Sequence, residues 1–279
     1  MGDREKSGSI EDVIEADRAE AEAWTDLFAA AAPPFAAAVG LSASTSGGAT
    51  VLLAAKIPEP LFNRAIGLGN EAPATEDELD AVLQLARARG PSRFWVHVGR
   101  AAQPDALARW LEARGLVAPA RATWAKVVRR REPPPVVSTD LAVRVVEPSE
   151  RADLGAVIAA AHGMPPPMAP WVAALAGRPR WTAYGAFDGS TLVGGGLVFV
   201  SGPRAWLGLG GTAVSHRRRG AQGAVMAARI AHALEAGAHL TVTETGEPKA
   251  SEENPSLRNM ARCGFVKVDS RRNFELALG

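Results

Sequence analysis

Three consecutive arginines, Arg217, Arg218 and Arg219, stand directly before Gly220 in the stretch VSHRRRGAQGAVMAARI (214–230), which then runs into an apolar helical pattern. The first amides of a helix lack internal partners and carry a partial positive charge. Cations placed there oppose the helix, so their presence predicts an anion. Gly220 and Gly223, with Ala221 and Ala224, leave the backbone uncovered, and a phosphate can lie on such amides. The alternative for the same residues is an exposed basic turn that serves solubility alone. No Gly-Lys-Ser or Gly-Lys-Thr occurs, which excludes a Walker loop. GLGGTA (208–213) spells a dinucleotide fingerprint. Its neighbours Trp206, Leu207, Leu209 and Val214 place those glycines inside a strand, and the helix opens only after Arg219.

The elements that must position this turn follow from periodicity and punctuation. In the second half, strands are predicted over 141–146, 181–187, 191–200, 204–214, 239–243, 265–268 and 273–278, with Asp188-Gly189 as a hairpin turn. Helices are predicted over 149–161, capped by Ser149, over 168–176, over 220–236 with Gly237 as its stop, and over 255–263 closed by Gly264. The first half ends in the same order. A strand over 64–68 precedes a helix that opens on the capping box Thr75/Glu78 and runs to Arg89. A strand over 94–98, a helix over 104–114 and a strand over 123–128 follow. RWLEARGL (109–116) and NMARCGF (259–265) each end a short helix at Arg, stop it at Gly and open a strand on a large apolar residue. Such junctions are common singly, but the match of four successive elements predicts a tandem duplication.

The chain has 279 residues, enough for one large domain or two ordinary ones. RRREPPPVVSTD (129–140) combines charge, three prolines and a polar tail, and reads as a solvated, stiff linker. The expected division is 1–132, a linker 133–140, and 141–279. A net charge of +1 argues against a general nucleic-acid or membrane binder. The single cysteine, Cys263, excludes an internal disulfide and fits a reducing compartment. The polar start MGDREKSGSIEDVIEADRAE is no secretory signal, and Pro33-Pro34 breaks the apolar run after it. The expectation is a soluble, cytoplasmic monomer or homodimer. The five histidines lack paired metal spacing, so no metal is expected.

The stretch 214–230 resembles the acyl-CoA-binding motif of the GNAT superfamily of N-acyltransferases, Gln/Arg-x-x-Gly-x-Gly/Ala, here Arg217-x-x-Gly220-x-Gln222. Gln222 departs from the usual Gly or Ala, with Gly223 one residue later. ENPSLRNMARCGF (253–265) fits the family's second, Asn-rich signature, and the resemblance covers about 141–279. It implies an α/β fold of two tandem GNAT-like domains, each a splayed, mostly antiparallel sheet flanked by helices. It implies acetyl-CoA as co-substrate and no metal. Pantetheine would pair with the strand ending at Ala213-Val214, and pyrophosphate would lie on the amides from Arg219 to Ala224. Ala221, Gln222, Gly223, Asn254 and Asn259 complete the implied cofactor site, and the arginines neutralise its phosphates. The first half carries Glu71, Glu76, Asp77 and Glu78 at the equivalent junction, acids that repel phosphate. It is expected to be a degenerate copy without a cofactor site.

Acyl transfer to an amine needs a base, an oxyanion donor and an acid for the thiolate. Many family members carry a Glu on the splayed strand and a Tyr five residues before the Gly-Phe phenylalanine. RAWLGLGGTAVS has no acid, and Met260 stands at the tyrosine position. Glu244 and Thr212 are the remaining candidates; an inert loop acid and an ordinary strand threonine are their alternatives. Tyr184, His216 and the tryptophans Trp171, Trp181 and Trp206 fit core or surface roles as well as an acceptor pocket. Two functions follow. One is N-acetyl transfer to a small-molecule or peptide amine; the other is a catalytically silent acyl-CoA-binding regulator or scaffold.

Overall fold

The computed structural model describes residues 8–118, 123–248 and 252–278. The first seven residues of the polar start lie outside them. The chain forms two compact units. Unit 1 holds residues 1–127, 244–254 and 266–279, and unit 2 holds 128–243 and 255–265.

Unit 1 begins with α1 (Ile10–Ala29), opened by a reciprocal capping box between Ser9 and Asp12. The short α2 (Pro33–Val39) starts on its two prolines and stops at Gly40 in the left-handed region. The hairpin β1 (Leu41–Ser46) and β2 (Ala49–Ala54) follows, then β3 (Arg64–Ile66), α3 (Glu76–Arg89), β4 (Arg93–Val98), α4 (Leu107–Ala113) and β5 (Thr123–Arg130). The α3 capping box and its Gly90 stop form as the sequence predicts. α3 and α4 bury Leu79, Val82, Leu83, Leu107 and Leu111 against Val51, Phe94 and Val96.

In unit 2, β6 (Ala142–Val145) precedes α5 (Arg151–Ala161) and α6 (Ala169–Leu175). Ser149 is not the cap. It sits inside a 3-10 turn over Pro148–Glu150, opened by a box between Glu147 and Glu150. The hairpin β7 (Trp181–Asp188) and β8 (Thr191–Ser201) turns on Gly189 at φ 59°, where only glycine is unstrained. β9 (Arg204–Thr212), α7 (Ala221–Glu235), β10 (Leu240–Gly246) and α8 (Pro255–Arg262) complete the order. β8 carries Gly195-Gly196 where helices press on it from both faces. A Cβ at Gly195 would lie 2.4 Å from Leu154 of α5, and one at Gly196 would lie 2.8 Å from the Arg229 guanidinium of α7.

The duplication is visible in the topology. Each unit has two helices, an antiparallel hairpin, a third antiparallel strand, and a helical crossover to a parallel fourth strand followed by a short helix. The units nevertheless do not follow the expected contiguous division. The last residues form one strand, β11 (Val266–Ala277), rather than two. β11 pairs antiparallel with β4 of unit 1, from Arg272↔Val98 to Ala277↔Arg93. It places Phe274 and Leu276 in the unit 1 core. The arginines 129–131 do not behave as a uniformly solvated linker either. Arg129 is buried and donates to the carbonyls of Cys263, Glu132 and Pro133.

The layer between α1 and the sheet of unit 1 is charged. Glu20, fully buried, receives Arg271 at 2.6 Å, Arg64 at 2.9 Å and Lys126. Asp17 adds contacts to Lys126 at 3.3 Å and Arg271 at 3.2 Å. Burial alone would raise the Glu20 carboxyl, but Arg271, Lys126 and Arg64 outweigh it and hold it well below its ordinary range. His97 beside them is driven well down, first by burial and then by Arg271 and Arg64, and is neutral.

Candidate functional site

The site predicted from sequence lies at the β9–α7 junction of unit 2. β9 stops at Thr212 and a 3-10 turn over Val214–His216 follows. Arg218 takes φ 66° and Gly220 φ 82°, so the chain reverses sharply into α7. Gly220 is the N-cap, no side chain caps the helix, and the first turn carries no acid. Ala224 is the first amide to bond back, to the Gly220 carbonyl at 3.0 Å, which leaves Ala221, Gln222 and Gly223 without helical partners. Arg217 and Arg218 are exposed. This is the arrangement of free donors and cations that an anion requires.

Arg219 has a different task. Its guanidinium pairs with Asp140 and, at 2.7 Å, with Asp188. These bonds hold it on protein carboxylates, while its carbonyl accepts from the Thr139 hydroxyl at 2.7 Å. His216 also faces Asp188, at 3.3 Å. The glycines likewise serve close packing. A Cβ at Gly220 would meet the Ser138 carbonyl at 2.5 Å, and one at Gly223 would meet Val137 at 3.1 Å. The proline-rich segment therefore lies against the start of α7.

The strand leading to the turn is irregular. β9 pairs in parallel with β10 only from Arg204 to Trp206. Beyond that point, among the described residues, Leu207–Thr212 has no ladder partner on the edge away from β8. Ala213, expected to pair with pantetheine, instead donates to the Val193 carbonyl and accepts from His216. The free edge thus lies earlier, over Leu207–Thr212. On the β8 side the register slips, so that Gly195 faces Gly211 but Leu197 faces Gly208. Leu209 at the slip takes φ 52°.

Two side chains that the sequence reading did not assign hold this bulge from opposite faces. Arg229, buried on α7, donates Nη1 to Leu197 O at 3.1 Å and to Gly208 O at 3.2 Å. It has no carboxylate partner among the described residues, and burial pushes it down to about 10, with Cys263 opposing. It replaces ladder bonds that the slip removes. From the α5 face, His162 Nε2 lies 3.0 Å from Gly210 O. A weak sequence signal existed for Arg229, a lone arginine on an apolar helix face with glycines at 196 and 210 that leave room for it, and none for His162.

The other predicted residues divide. Asn259 donates to Gln222 at 2.6 Å and Gln222 donates to Ser256 at 3.3 Å, so this pair ties α7 to α8 and leaves the amides above it to any ligand. Asn254 groups with unit 1 and donates to Thr245 and Gly246. Glu244 is no exposed loop acid. It belongs to unit 1, where its buried carboxylate lies 3.5 Å from Lys126, and burial raises it. Thr212 ends β9 opposite Gly194. Trp171, Trp181 and Trp206 are buried, the last two packed edge-on, and Trp181 also tilts against Phe199. Met260 on α8 and Cys263 just after it are buried.

No protein-family model matches the sequence, and no curated protein matches it. Solved structures do match the fold. A GCN5-related N-acetyltransferase from Kribbella flavida superposes with a TM-score of 0.64 at 16% identity, over 93% of this chain and 95% of that one. A tandem GNAT protein from the clavulanic acid biosynthesis pathway superposes with a TM-score of 0.61 at 17% identity, over 100% and 96% of the two chains.

Proposed function

We propose that this chain, which has the GNAT fold in two tandem copies, is an acyl-CoA-dependent N-acyltransferase with its cofactor site in unit 2. The observation that carries the proposal is the acid-free, uncapped start of α7. The amides of Ala221, Gln222 and Gly223 are free there, and Arg217 and Arg218 stand exposed on the approach. These groups would hold the pyrophosphate, and the free edge of β9 over Leu207–Thr212 would pair with pantetheine. Acetyl-CoA supplies an activated acyl carbonyl. An unpaired strand amide facing that carbonyl would serve as the oxyanion donor. The acceptor is a small-molecule or peptide amine. A buried, solitary Cys263 fits a reducing, cytoplasmic setting, and no helix among the described residues is long and apolar enough to cross a membrane.

A second reading is favoured by the absence of an acid at two expected places. β9 carries no acid, Met260 is buried where a tyrosine would donate a proton, and the substitute Glu244 is engaged with Lys126. A silent acyl-CoA-binding regulator would look the same at the turn. Incubation with acetyl-CoA and a panel of amines, with thiol release as the readout, separates the two. Release that depends on an amine supports the enzyme. CoA binding without release under any amine supports the regulator.

A further inference from the structure

A group that could take the amine proton stands on the α5 face of the bulge. Resting on the acyl-transfer reading above, we propose that His162 is the general base of unit 2. His162 caps the C-terminal end of α5, where its amide donates to the Ile158 carbonyl at 3.1 Å. Its ring crosses to β9, with Nε2 at 3.0 Å from Gly210 O. A carbonyl only accepts, so Nε2 carries the hydrogen and Nδ1 is left as a free lone pair. No partner for Nδ1 occurs among the described residues. The bond to Gly210 places that lone pair beside the strand whose far edge is free from Leu207 to Thr212.

The surroundings favour the neutral ring. α6 and β8 carry no titratable side chain, β9 carries only Arg204 at its start, and α5 carries Arg151 and Asp153 at its opposite end. From α7, Arg229 and His232 face the other side of the sheet, Arg229 on Leu197 and Gly208 and His232 on Thr182 and Tyr184. Although His162 is exposed to solvent, protein crowded around its ring disfavours the charged form. This outweighs the Gly210 bond and lowers the pKa below its ordinary value. His162 is therefore unprotonated at neutral pH and open to an incoming amine.

The step balances without a further reagent. The acceptor enters as R–NH3⁺ and gives one proton to Nδ1, which makes His162 an imidazolium. The amine lone pair forms the C–N bond to the thioester carbonyl, and collapse of the tetrahedral adduct breaks the C–S bond. The nitrogen gives its second proton to the departing thiolate, and His162 returns its proton to solvent. The products are the amide, CoA thiol and one proton.

A merely structural His162 would hold Gly210 and nothing more, and His162→Gln separates the roles. The glutamine amide keeps a donor for Gly210 O but has no basic lone pair. The expected result is a loss of kcat on the order of 10²- to 10⁴-fold, with CoA affinity and thermal unfolding unchanged. The acidic limb of the wild-type kcat/KM profile should fall below the ordinary histidine range of about 6.5 and vanish in both His162→Gln and His162→Ala. A wild-type rate with the acidic limb intact in His162→Gln would overturn the assignment. A wild type that binds CoA yet releases thiol with no amine would break the acyl-transfer reading itself, and the base with it.

Discussion

α3 and α7 begin at equivalent points of two units that share one order of elements, and they begin in opposite ways. α3 is closed by the Thr75–Glu78 capping box and opens on Glu76, Asp77 and Glu78. These features stabilise the helix, by about 1 kcal/mol for the cap and a few tenths more for each acid. α7 forgoes both and keeps free amides behind Arg217 and Arg218. The buried cations differ in the same sense. In unit 1, Arg64, Lys126 and Arg271 share the carboxylates of Asp17, Glu20 and Glu244. In unit 2, Arg229 meets only backbone carbonyls at the bulge. A duplicated fold has kept its topology while one copy caps its helix start and pairs its buried cations, and the other leaves its first helical amides free.

The largest effect is expected from the loss of β11. A fragment of residues 1–127 retains all of α1 to α4 but lacks Arg271, Phe274 and Leu276. It should show no cooperative unfolding transition by circular dichroism; a fragment that melts cooperatively would mean that unit 1 is self-sufficient. Within the full chain, Glu20→Ala leaves three buried cations short of a partner and should cost about 3–5 kcal/mol in chemical denaturation. The pH dependence has a fixed sign. The folded Glu20 carboxyl lies below its unfolded value, so its contribution is present above about pH 4.5 and is lost as pH falls toward the folded value. Stability measured against pH should therefore fall less steeply on the acid side in Glu20→Gln than in the wild type. Arg229→Met should cost less, about 1–3 kcal/mol in all, because it leaves bare neutral carbonyls rather than unpaired buried charges. A loss equal to that of Glu20→Ala would erase the contrast between paired and unpaired cations. The smallest effect belongs to Arg219→Ala. Its partners Asp140 and Asp188 are exposed, and such pairs contribute little. Neither the melting temperature nor CoA affinity should move measurably, and a large fall in affinity would return Arg219 to the phosphate site.

Much of this was legible in the sequence because its signals are local. The Thr75/Glu78 box, the Gly90, Gly237 and Gly264 stops and the Asp188-Gly189 turn each fix their own backbone. The junction of β9 with α7 was legible for the same reason. The destination of β11 was not, because strand pairing with β4 depends on contacts far along the chain. α1 was missed as a helix because its buried face mixes Val13, Ala16 and Leu27 with Asp17 and Glu20, which weakens an apolar stripe. Spacing alone presents Gly220 and Gly223 as openings for a phosphate and does not show the packing of Val137 and Ser138 against them. His162 and Arg229 escaped notice because each acts across the sheet on a carbonyl, and carbonyls leave no mark in a sequence.

On the proposed function, the open start of α7, and not that of α3, holds the acyl carrier. Isothermal titration of the full chain with CoA tests it directly, comparing wild type, Arg217→Glu/Arg218→Glu and Asp77→Lys. All three substituted residues are exposed, so the fold should survive each change. The expected result is one site per chain, a loss of at least about tenfold in affinity in the double variant, the scale of charge-assisted hydrogen bonds, and no change in Asp77→Lys. Two sites per chain, or full affinity after both arginines are reversed, would contradict it.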